Sequence, residues 1–127
     1  MAKVVLDASA LLAWLNEEAG AEKVDKALSD ACMSTVNLSE AGARLSDAGV
    51  PDEALRDVLD IGIEVFPFDE KLALAAAELR AITRPYGLSL GDRCCLALGW
   101  RRKLPILTAE TQWKKVKIAD IKFRFIR

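Results

Sequence analysis

Short apolar runs alternate with longer stretches of helical spacing, and this alternation constrains the fold more than any other feature of the sequence. Five of the runs predict strands. They cover residues 3–6, 32–36, 63–68, 105–108 and 121–126. Strands that alternate with helices predict an α/β protein in which a parallel sheet of about five strands carries helices on both faces. With 127 residues, one domain spanning 1–127 is expected.

Apolar residues at helical spacing predict helices between these strands. The predicted helices cover residues 8–18, 21–28, a stretch ending near 49, 51–61, 70–83 and 92–102. Asn37 or Ser39 is placed to cap the third helix, Asp69 the fifth and Ser89 the last. A short turn or helix is expected at residues 110–115, and the alternating pattern of 121–126 predicts a half-exposed strand at a sheet edge.

The residue types in the chain restrict its chemistry. There is no histidine, which excludes Ser-His-Asp and Cys-His nucleophilic catalysis. Cys32, Cys94 and Cys95 have no CxxC spacing, so neither a zinc site nor a disulfide framework is predicted. Acid–base or metal chemistry in this chain must therefore use carboxylates.

The composition also bears on the environment of the protein. Apolar residues make up 52% of the chain, which suits a sheet covered on both faces. The longest apolar run near the start is interrupted by Asp7 and Asn16, and is too short to cross a membrane. No basic, apolar, small-residue signal layout is present. We therefore expect a soluble cytoplasmic protein.

Four isolated acidic residues stand beside apolar runs. Asp7 ends the first strand, Glu40 lies one helical turn past the second, and Glu110 follows the fourth. Asp92 opens the helix that leads into the fourth strand, although taken alone it could simply stabilise the helix dipole. Parallel strands end at one edge of their sheet, where ligands bind. We therefore expect the four carboxylates to meet at that edge.

Crowded carboxylates repel one another unless a cation neutralises them. Ligation by oxygen alone suits a hard ion such as Mg²⁺ or Mn²⁺. Such an ion typically supports hydrolysis of a phosphate ester, and one or two ions would fit four carboxylates. The sequence therefore predicts a metal-dependent phosphodiester hydrolase.

The charges are unevenly distributed, although the net charge is only −1. Residues 1–100 hold 9 Lys+Arg and 17 Asp+Glu, a balance of −8, whereas residues 101–127 hold 9 and 2, a balance of +7. The basic segment could attract a polyanion such as RNA. A solvated strand edge that lysines protect from aggregation explains it too, and charge alone favours this second interpretation.

Four motifs carry a family resemblance: Val5-Leu6-Asp7-Ala8-Ser9-Ala10, Ser39-Glu40, Leu88-Ser89-Leu90-Gly91-Asp92-Arg93 with Leu96-Ala97, and Ile106-Leu107-Thr108-Ala109-Glu110. Over nearly its whole length the chain resembles PIN-domain ribonucleases, and more closely VapC-type toxins of toxin–antitoxin pairs. The resemblance implies a three-layer fold with strand order 3-2-1-4-5 and an endoribonuclease dependent on Mg²⁺ or Mn²⁺. It also implies an RNA substrate, a homodimer, and a cognate VapB-type antitoxin whose C-terminal segment covers the acidic pocket.

Residue by residue, Asp7, Glu40 and Asp92 match the family's central acids, and Glu110 stands where Asp is more usual. Glutamate is one methylene longer and could ligate through a water. The resemblance gives Ser9 and Thr108 as hydroxyls that bind the acids or a metal-bound water, whereas a local cap or a strand-end threonine is the alternative.

Several other polar residues have more than one interpretation. Asn37 lies near the acids with no assigned role, and Arg93 could steady Asp92 or meet a phosphate. Basic residues near the end of the chain could grip an RNA backbone or be solvated surface; they are Arg101, Arg102, Lys114, Lys115 and Lys117. Packing is the favoured role of the tryptophans at positions 14, 100 and 113.

Two other functions compete with a nuclease. The first is a non-catalytic PIN-scaffold module that binds RNA or a partner protein. The only sequence feature that favours it is Glu110 in place of Asp. The second is a phospho-acceptor signalling domain, which needs adjacent acids after the first strand. Ala8-Ser9-Ala10 stands at that place, and no lysine follows the final strand.

Overall fold

A five-stranded parallel sheet of order β3-β2-β1-β4-β5 forms the centre of the computed structural model, which describes residues 1–127. The strands are β1 (Val4–Leu6), β2 (Ala31–Ser34), β3 (Glu64–Phe66), β4 (Ile106–Thr108) and β5 (Phe123–Phe125). All four strand pairings are parallel. The expected strand number, direction and order are confirmed.

Seven helices connect the strands. They are α1 (Ala8–Leu15), α2 (Ala21–Ala27), α3 (Thr35–Asp47), α4 (Asp52–Asp57), α5 (Glu70–Glu78), α6 (Arg80–Thr83) and α7 (Leu90–Arg102). The single helix predicted over 70–83 is wrong, because two helices occupy it. The helix predicted over 51–61 is α4 followed by a 3-10 turn, Val58–Ile61. The predicted helix 8–18 ends earlier, since Glu17 adopts a left-handed backbone with φ of 54°.

The start of α3 corrects the predicted cap. Neither Asn37 nor Ser39 caps this helix; Ser34 does, with its Oγ accepting a hydrogen bond from the Val36 amide at 3.1 Å. Ser34 still has an extended backbone, so it serves as the last residue of β2 and the cap of α3 together. Strand β2 is therefore shorter than predicted, and Val36 is helical.

Helices cover both faces of the sheet, as predicted. Successive side chains of β1 point to opposite faces, since Val4 and Leu6 join one buried cluster and Val5 joins the other. The first cluster includes residues of α1, α2 and α3, and the second includes residues of α5 and α7. The sheet is thereby the middle layer of three.

Helix α7 is the most deeply packed helix of the second cluster. Its residues from Cys94 to Gly99 are all buried, and Gly99 lets the helix approach β4 closely, since an added Cβ would lie 2.7 Å from Ile106 Cγ1. The burial of Cys94 and Cys95 agrees with their expected role as small apolar residues. This packing fixes the start of α7 at the carboxyl edge of the sheet.

Strand β5 lies at one edge of the sheet, as its alternating sequence predicts. Phe123 and Phe125 are partly buried, whereas Arg124 between them is exposed. None of the helices has the length and apolar character needed to span a membrane.

Gly20 generates a prediction about stability. It precedes α2 with a φ of 92°, and an added Cβ would overlap the backbone carbonyl of Ile126. We predict that Gly20→Ala lowers the free energy of unfolding by roughly 2–4 kcal/mol, because a left-handed backbone and a steric overlap act together. Urea unfolding monitored by circular dichroism measures this loss.

Gly49→Ala is the matched control. Gly49 also has a positive φ, of 86°, but an added Cβ meets nothing within 4 Å. It should lose only the roughly 1–2 kcal/mol that the left-handed backbone costs. Equal losses in the two variants would contradict the close approach of Ile126 to Gly20.

Candidate functional site

Asp7 follows β1 directly and is buried, with 4% of its surface exposed. Its Oδ2 atom accepts hydrogen bonds from Ser9 Oγ at 2.5 Å and from Thr108 Oγ1 at 3.1 Å. Thr108 reaches Asp7 because β1 and β4 are paired in the centre of the sheet. The expectation that these hydroxyls bind an acid is confirmed.

The same two hydroxyls also organise the segment after β4. Ser9 Oγ accepts from the Ala109 amide at 3.0 Å, and Thr108 Oγ1 accepts from the Glu110 amide at 3.0 Å. Each hydroxyl thus donates one hydrogen bond to Asp7 and accepts one hydrogen bond from a backbone amide. The network locks the carboxylate of Asp7 in one orientation and fixes the backbone of Glu110 beside it.

The surroundings of Asp7 alter its ionisation. Burial is the main cause that raises the pKa of this carboxyl from 3.8 to about 6. The hydrogen bonds from Ser9 and Thr108 lower the pKa, and the charges of Asp92 and Glu110 raise it further. Asp92 and Glu110 are therefore close enough to repel an ionised Asp7.

Asp92 belongs to the capping box at the start of α7. Ser89 Oγ accepts from the Asp92 amide at 3.1 Å, and Asp92 Oδ2 accepts from the Ser89 amide at 2.9 Å. This confirms Ser89 as the cap and shows that Asp92 does contribute to the helix terminus. Its Oδ1 atom has no part in the capping box, so the carboxylate can serve the cap and a ligand together.

Glu40 lies on α3 and is held against the start of α7. Asn37 Nδ2 donates to Glu40 Oε1 at 2.7 Å and to the Gly91 carbonyl at 3.0 Å. An added Cβ on Gly91 would overlap the Glu40 carboxylate. Glycine at position 91 therefore makes the space that this carboxylate occupies, while the fully buried Asn37 ties α3 to α7.

Glu110 is the least committed of the four acids. Its carboxylate accepts a hydrogen bond from the neighbouring Gln112 side chain. Its backbone is fixed by Thr108, but its side chain is partly exposed, and its Oε1 atom takes no part in the hydrogen bond with Gln112.

The sequence matches the family model of the PIN domain over residues 4–119. The chain belongs to the PIN domain family. None of the curated proteins compared with it matches.

Solved structures with the same fold come from toxin–antitoxin complexes. A chain of the DNA-bound VapBC complex from Salmonella typhimurium superposes with a TM-score of 0.77 at 19% identity, over 100% of both chains. One from VapBC2 of Rickettsia felis gives 0.72 at 17%, over 96% of this chain and 97% of that chain. One from VapBC-5 of Mycobacterium tuberculosis gives 0.65 at 21%, over 98% and 99%. They share the PIN architecture described above.

The acids of this PIN domain act electrostatically on one region. The charges of Asp7, Asp92 and Glu40 all raise the pKa of the Cys95 thiol, which burial raises most. Together with the effects of Asp92 and Glu110 on Asp7, this brings all four predicted residues into one electrostatic neighbourhood. No three acidic or thiol side chains stand close enough to hold an ion in the side-chain positions described here.

The donor atoms themselves fit a hard divalent ion. All four side chains offer carboxylate oxygens, and the buried Oδ1 of Asn37 has no hydrogen-bond partner. A cation would also relieve the repulsion that raises the pKa of Asp7. The residues present therefore suit Mg²⁺ or Mn²⁺, which the partly buried carboxylates of Glu40, Asp92 and Glu110 would reach by side-chain rotation.

Other residues considered from the sequence have structural roles. Arg93 makes no hydrogen bond or ion pair with Asp92; its Nη1 donates to the Ala76 carbonyl at 3.2 Å and ties α7 to α5. A contact of Arg93 with a phosphate stays a prediction. Asp69 caps α5, and the buried Trp113 packs in the second cluster, both as predicted.

Gly91 has a role at the site that its place in the sequence does not reveal. It appears there only within a family motif, and the unusual position of a glycine inside the first turn of a buried helix was the available signal. Its neighbour Asp92 takes part in the cap, so the two residues serve different purposes in the same turn.

The raised pKa of Asp7 generates a prediction about pH. The folded chain favours the protonated carboxyl, so this stabilisation is complete below pH 3.8 and is lost as pH rises to about 6. In metal-free buffer, the free energy of unfolding should therefore fall over that interval by up to about 3 kcal/mol. Asp7→Asn should not show this fall, and at pH 7.5 it should be more stable than the parent chain.

Urea titrations between pH 3.5 and 7.5 measure this effect. Asp69→Asn is the matched control, because Asp69 is an exposed helix cap that contacts none of the acids. It should keep the pH dependence of the parent chain. The contradicting result would be the same change in the free energy of unfolding between pH 4 and 6 in the parent chain and in Asp7→Asn. It would show that burial of the Asp7 carboxylate does not destabilise the fold.

Proposed function

We propose that this PIN domain is an endoribonuclease dependent on Mg²⁺ or Mn²⁺. The observation that carries the proposal is the buried Asp7 carboxylate at the carboxyl end of the central strand, within the electrostatic reach of other acids. Such a cluster costs stability in the absence of a cation, and a divalent cation compensates for that cost. The oxygen-only donor set excludes soft-ligand chemistry and favours hydrolysis of a phosphodiester.

The acids have distinct roles in this proposal. Asp7, Asp92 and Glu40 hold the ion, and Glu110 joins them through the carboxylate oxygen that Gln112 does not bind. When bound, the ion supplies a nucleophilic water at neutral pH and stabilises negative charge on the phosphate. Ser9 and Thr108 orient Asp7, and Asn37 orients Glu40, so four hydrogen bonds arrange the site before substrate arrives.

We further propose that the chain is the toxin of a toxin–antitoxin pair. Structures of similar fold come from complexes described as VapBC and FitAB, in which such chains assemble with a partner. An apolar groove of about 300 Å³ lies between α3 and α4 and contains the exposed Leu59. Because α3 also carries Glu40, an antitoxin segment in this groove would lie next to the acids.

A homodimer is also part of this proposal. Besides Met1 and Leu59, three large apolar side chains are exposed: Leu74 on α5, Ile82 on α6 and Leu90 at the start of α7. We propose these side chains as the contact with a second copy of the chain, because a contiguous exposed apolar surface marks an interaction site.

Cleavage of RNA tests the proposed activity. The purified chain should cut single-stranded or structured RNA in the presence of Mn²⁺ or Mg²⁺, and EDTA should stop it. Asp7→Asn and Asp92→Asn should each lower the rate by more than the roughly 10–100-fold that loss of an outer-shell partner costs. Gel analysis of labelled RNA measures the rate, and thermal unfolding checks that the variants are folded.

Two results would contradict this activity. Full cleavage by Asp7→Asn with saturating metal would remove that residue from the mechanism. Calorimetric binding of Mn²⁺ without any strand scission would favour the non-catalytic binding module.

Gly91 offers a second test of the site. An added Cβ displaces the Glu40 carboxylate, whose three atoms are the nearest to it. Gly91→Ala should therefore lower cleavage by about 100-fold, as expected when a ligand moves by about 1 Å, while the chain stays folded. Gly42→Ala is the matched control, because a Cβ there meets nothing within 4 Å. Equal cleavage by the two variants would show that Glu40 needs no such space.

A further inference from the structure

A cavity of about 610 Å³ lies between β5 and the segment that leads into it. Its wall combines lysines with aromatic rings, namely Lys114, Lys117, Lys122, Trp113, Phe123 and Phe125. Cavities of about 300–1,000 Å³ accommodate drug-sized ligands, so there is room for a nucleotide. None of the acids described above lines this cavity.

The aromatic rings form a continuous series along the cavity. The ring centroids of Trp113 and Phe123 are 5.6 Å apart, and those of Phe123 and Phe125 are 6.0 Å apart. Trp113 is buried and anchors the series, whereas the two phenylalanines are partly exposed. Exposed phenylalanine rings provide surfaces on which nucleic-acid bases stack.

The three lysines of the cavity form no ion pair with an acidic side chain. All three are exposed, and the two ion pairs of the molecule are formed by Arg101 with Glu78 and by Arg127 with Glu18. Lys114 Nζ lies 5.4 Å from the ring centroid of Phe125, so the ammonium group lies next to a ring on which a base can stack. This combination suits a ligand with both phosphates and bases.

The cavity adjoins the acidic edge of the sheet. The 3-10 turn Thr111–Lys115 begins immediately after Glu110, whose carbonyl accepts from the Trp113 amide at 3.0 Å. On the other side, Phe125 is paired in register with Thr108, the residue that binds Asp7. A strand of RNA in the cavity therefore leads toward the carboxylates.

We propose that this cavity is a second RNA-binding surface, in which a single strand places its phosphates on the three lysines and a base on Phe125. The proposal rests on the RNA substrate of the proposed function and adds where that substrate is held outside the acids. Charge complementarity favours RNA as the occupant over an apolar partner, since the rim is cationic.

RNA binding without cleavage tests the proposal. A fluorescein-labelled single-stranded RNA of about 12 nucleotides is titrated with the full chain in EDTA across a range of KCl concentrations, and anisotropy gives Kd. The triple variant Lys114→Ala, Lys117→Ala, Lys122→Ala should lower the slope of log affinity against log salt by about 2, since each phosphate contact contributes about 0.7 for single strands. Phe125→Leu should weaken single-strand binding roughly ten-fold with an unchanged salt slope.

A matched triple variant controls for net charge. Arg44→Ala, Arg56→Ala, Lys71→Ala removes three exposed basic side chains that lie on α3, α4 and α5 and do not line the cavity. It should keep a salt slope close to that of the parent chain. Thermal unfolding of all variants checks that they are folded.

Several outcomes overturn the proposal. They are an unchanged salt slope in the cavity triple variant, an equal fall in both triple variants, and parental affinity in Phe125→Leu. Because EDTA prevents cleavage, the result is independent of the proposed activity. If the chain binds RNA through the cavity but does not cut it, only the proposed nuclease activity is contradicted. If the chain cuts RNA and the cavity triple variant binds RNA as the parent chain does, only the cavity proposal is contradicted.

Discussion

The burial of one carboxylate, that of Asp7, is the constraint on which the site depends. A charged group at the end of the central strand costs free energy, because it loses water on all sides. Hydrogen bonds from Ser9 and Thr108 offset part of that free energy. They form only while β1, α1 and β4 keep their relative positions. The stability of the sheet and the orientation of the acid are thereby linked.

This link explains why the carboxylate and its partners lie on different elements. The order of strands puts β1 between β2 and β4, so the segments that follow all three converge on one edge. Helix α3 brings Glu40 from one side and α7 brings Asp92 from another, and Asn37 ties the two helices together at Gly91. The acids are thus kept close together, against their mutual repulsion, by hydrogen bonds from the neutral side chains of Ser9, Thr108 and Asn37.

The alternation of strands and helices was sufficient for a parallel sheet covered on both faces, and the family resemblance supplied the strand order. The end of β1 placed Asp7 at the carboxyl edge of the sheet, whereas a shared ion for the four acids stays a prediction. The sequence was insufficient for details that depend on tertiary packing. Ser34 caps α3 in place of Asn37 because the chain turns one residue after β2, and no local pattern distinguishes the two caps. The contact of Gly91 with Glu40 and the hydrogen bond from Gln112 to Glu110 likewise arise between elements or in a loop, where periodicity carries no information.

The charge of the molecule is divided between an acidic edge of the sheet and the basic segment 101–127. An acidic edge repels RNA until a cation neutralises it, so attraction of the substrate has to come from elsewhere on the surface. In the proposed function the lysines after Glu110 supply that attraction, because the turn Thr111–Lys115 begins directly after this acid. Lysines that protect the exposed edge of β5 from pairing with another strand are thus also positioned to hold a polyanion. The two interpretations of the basic segment are compatible, because a charged side chain at an edge strand can serve both purposes while solvated.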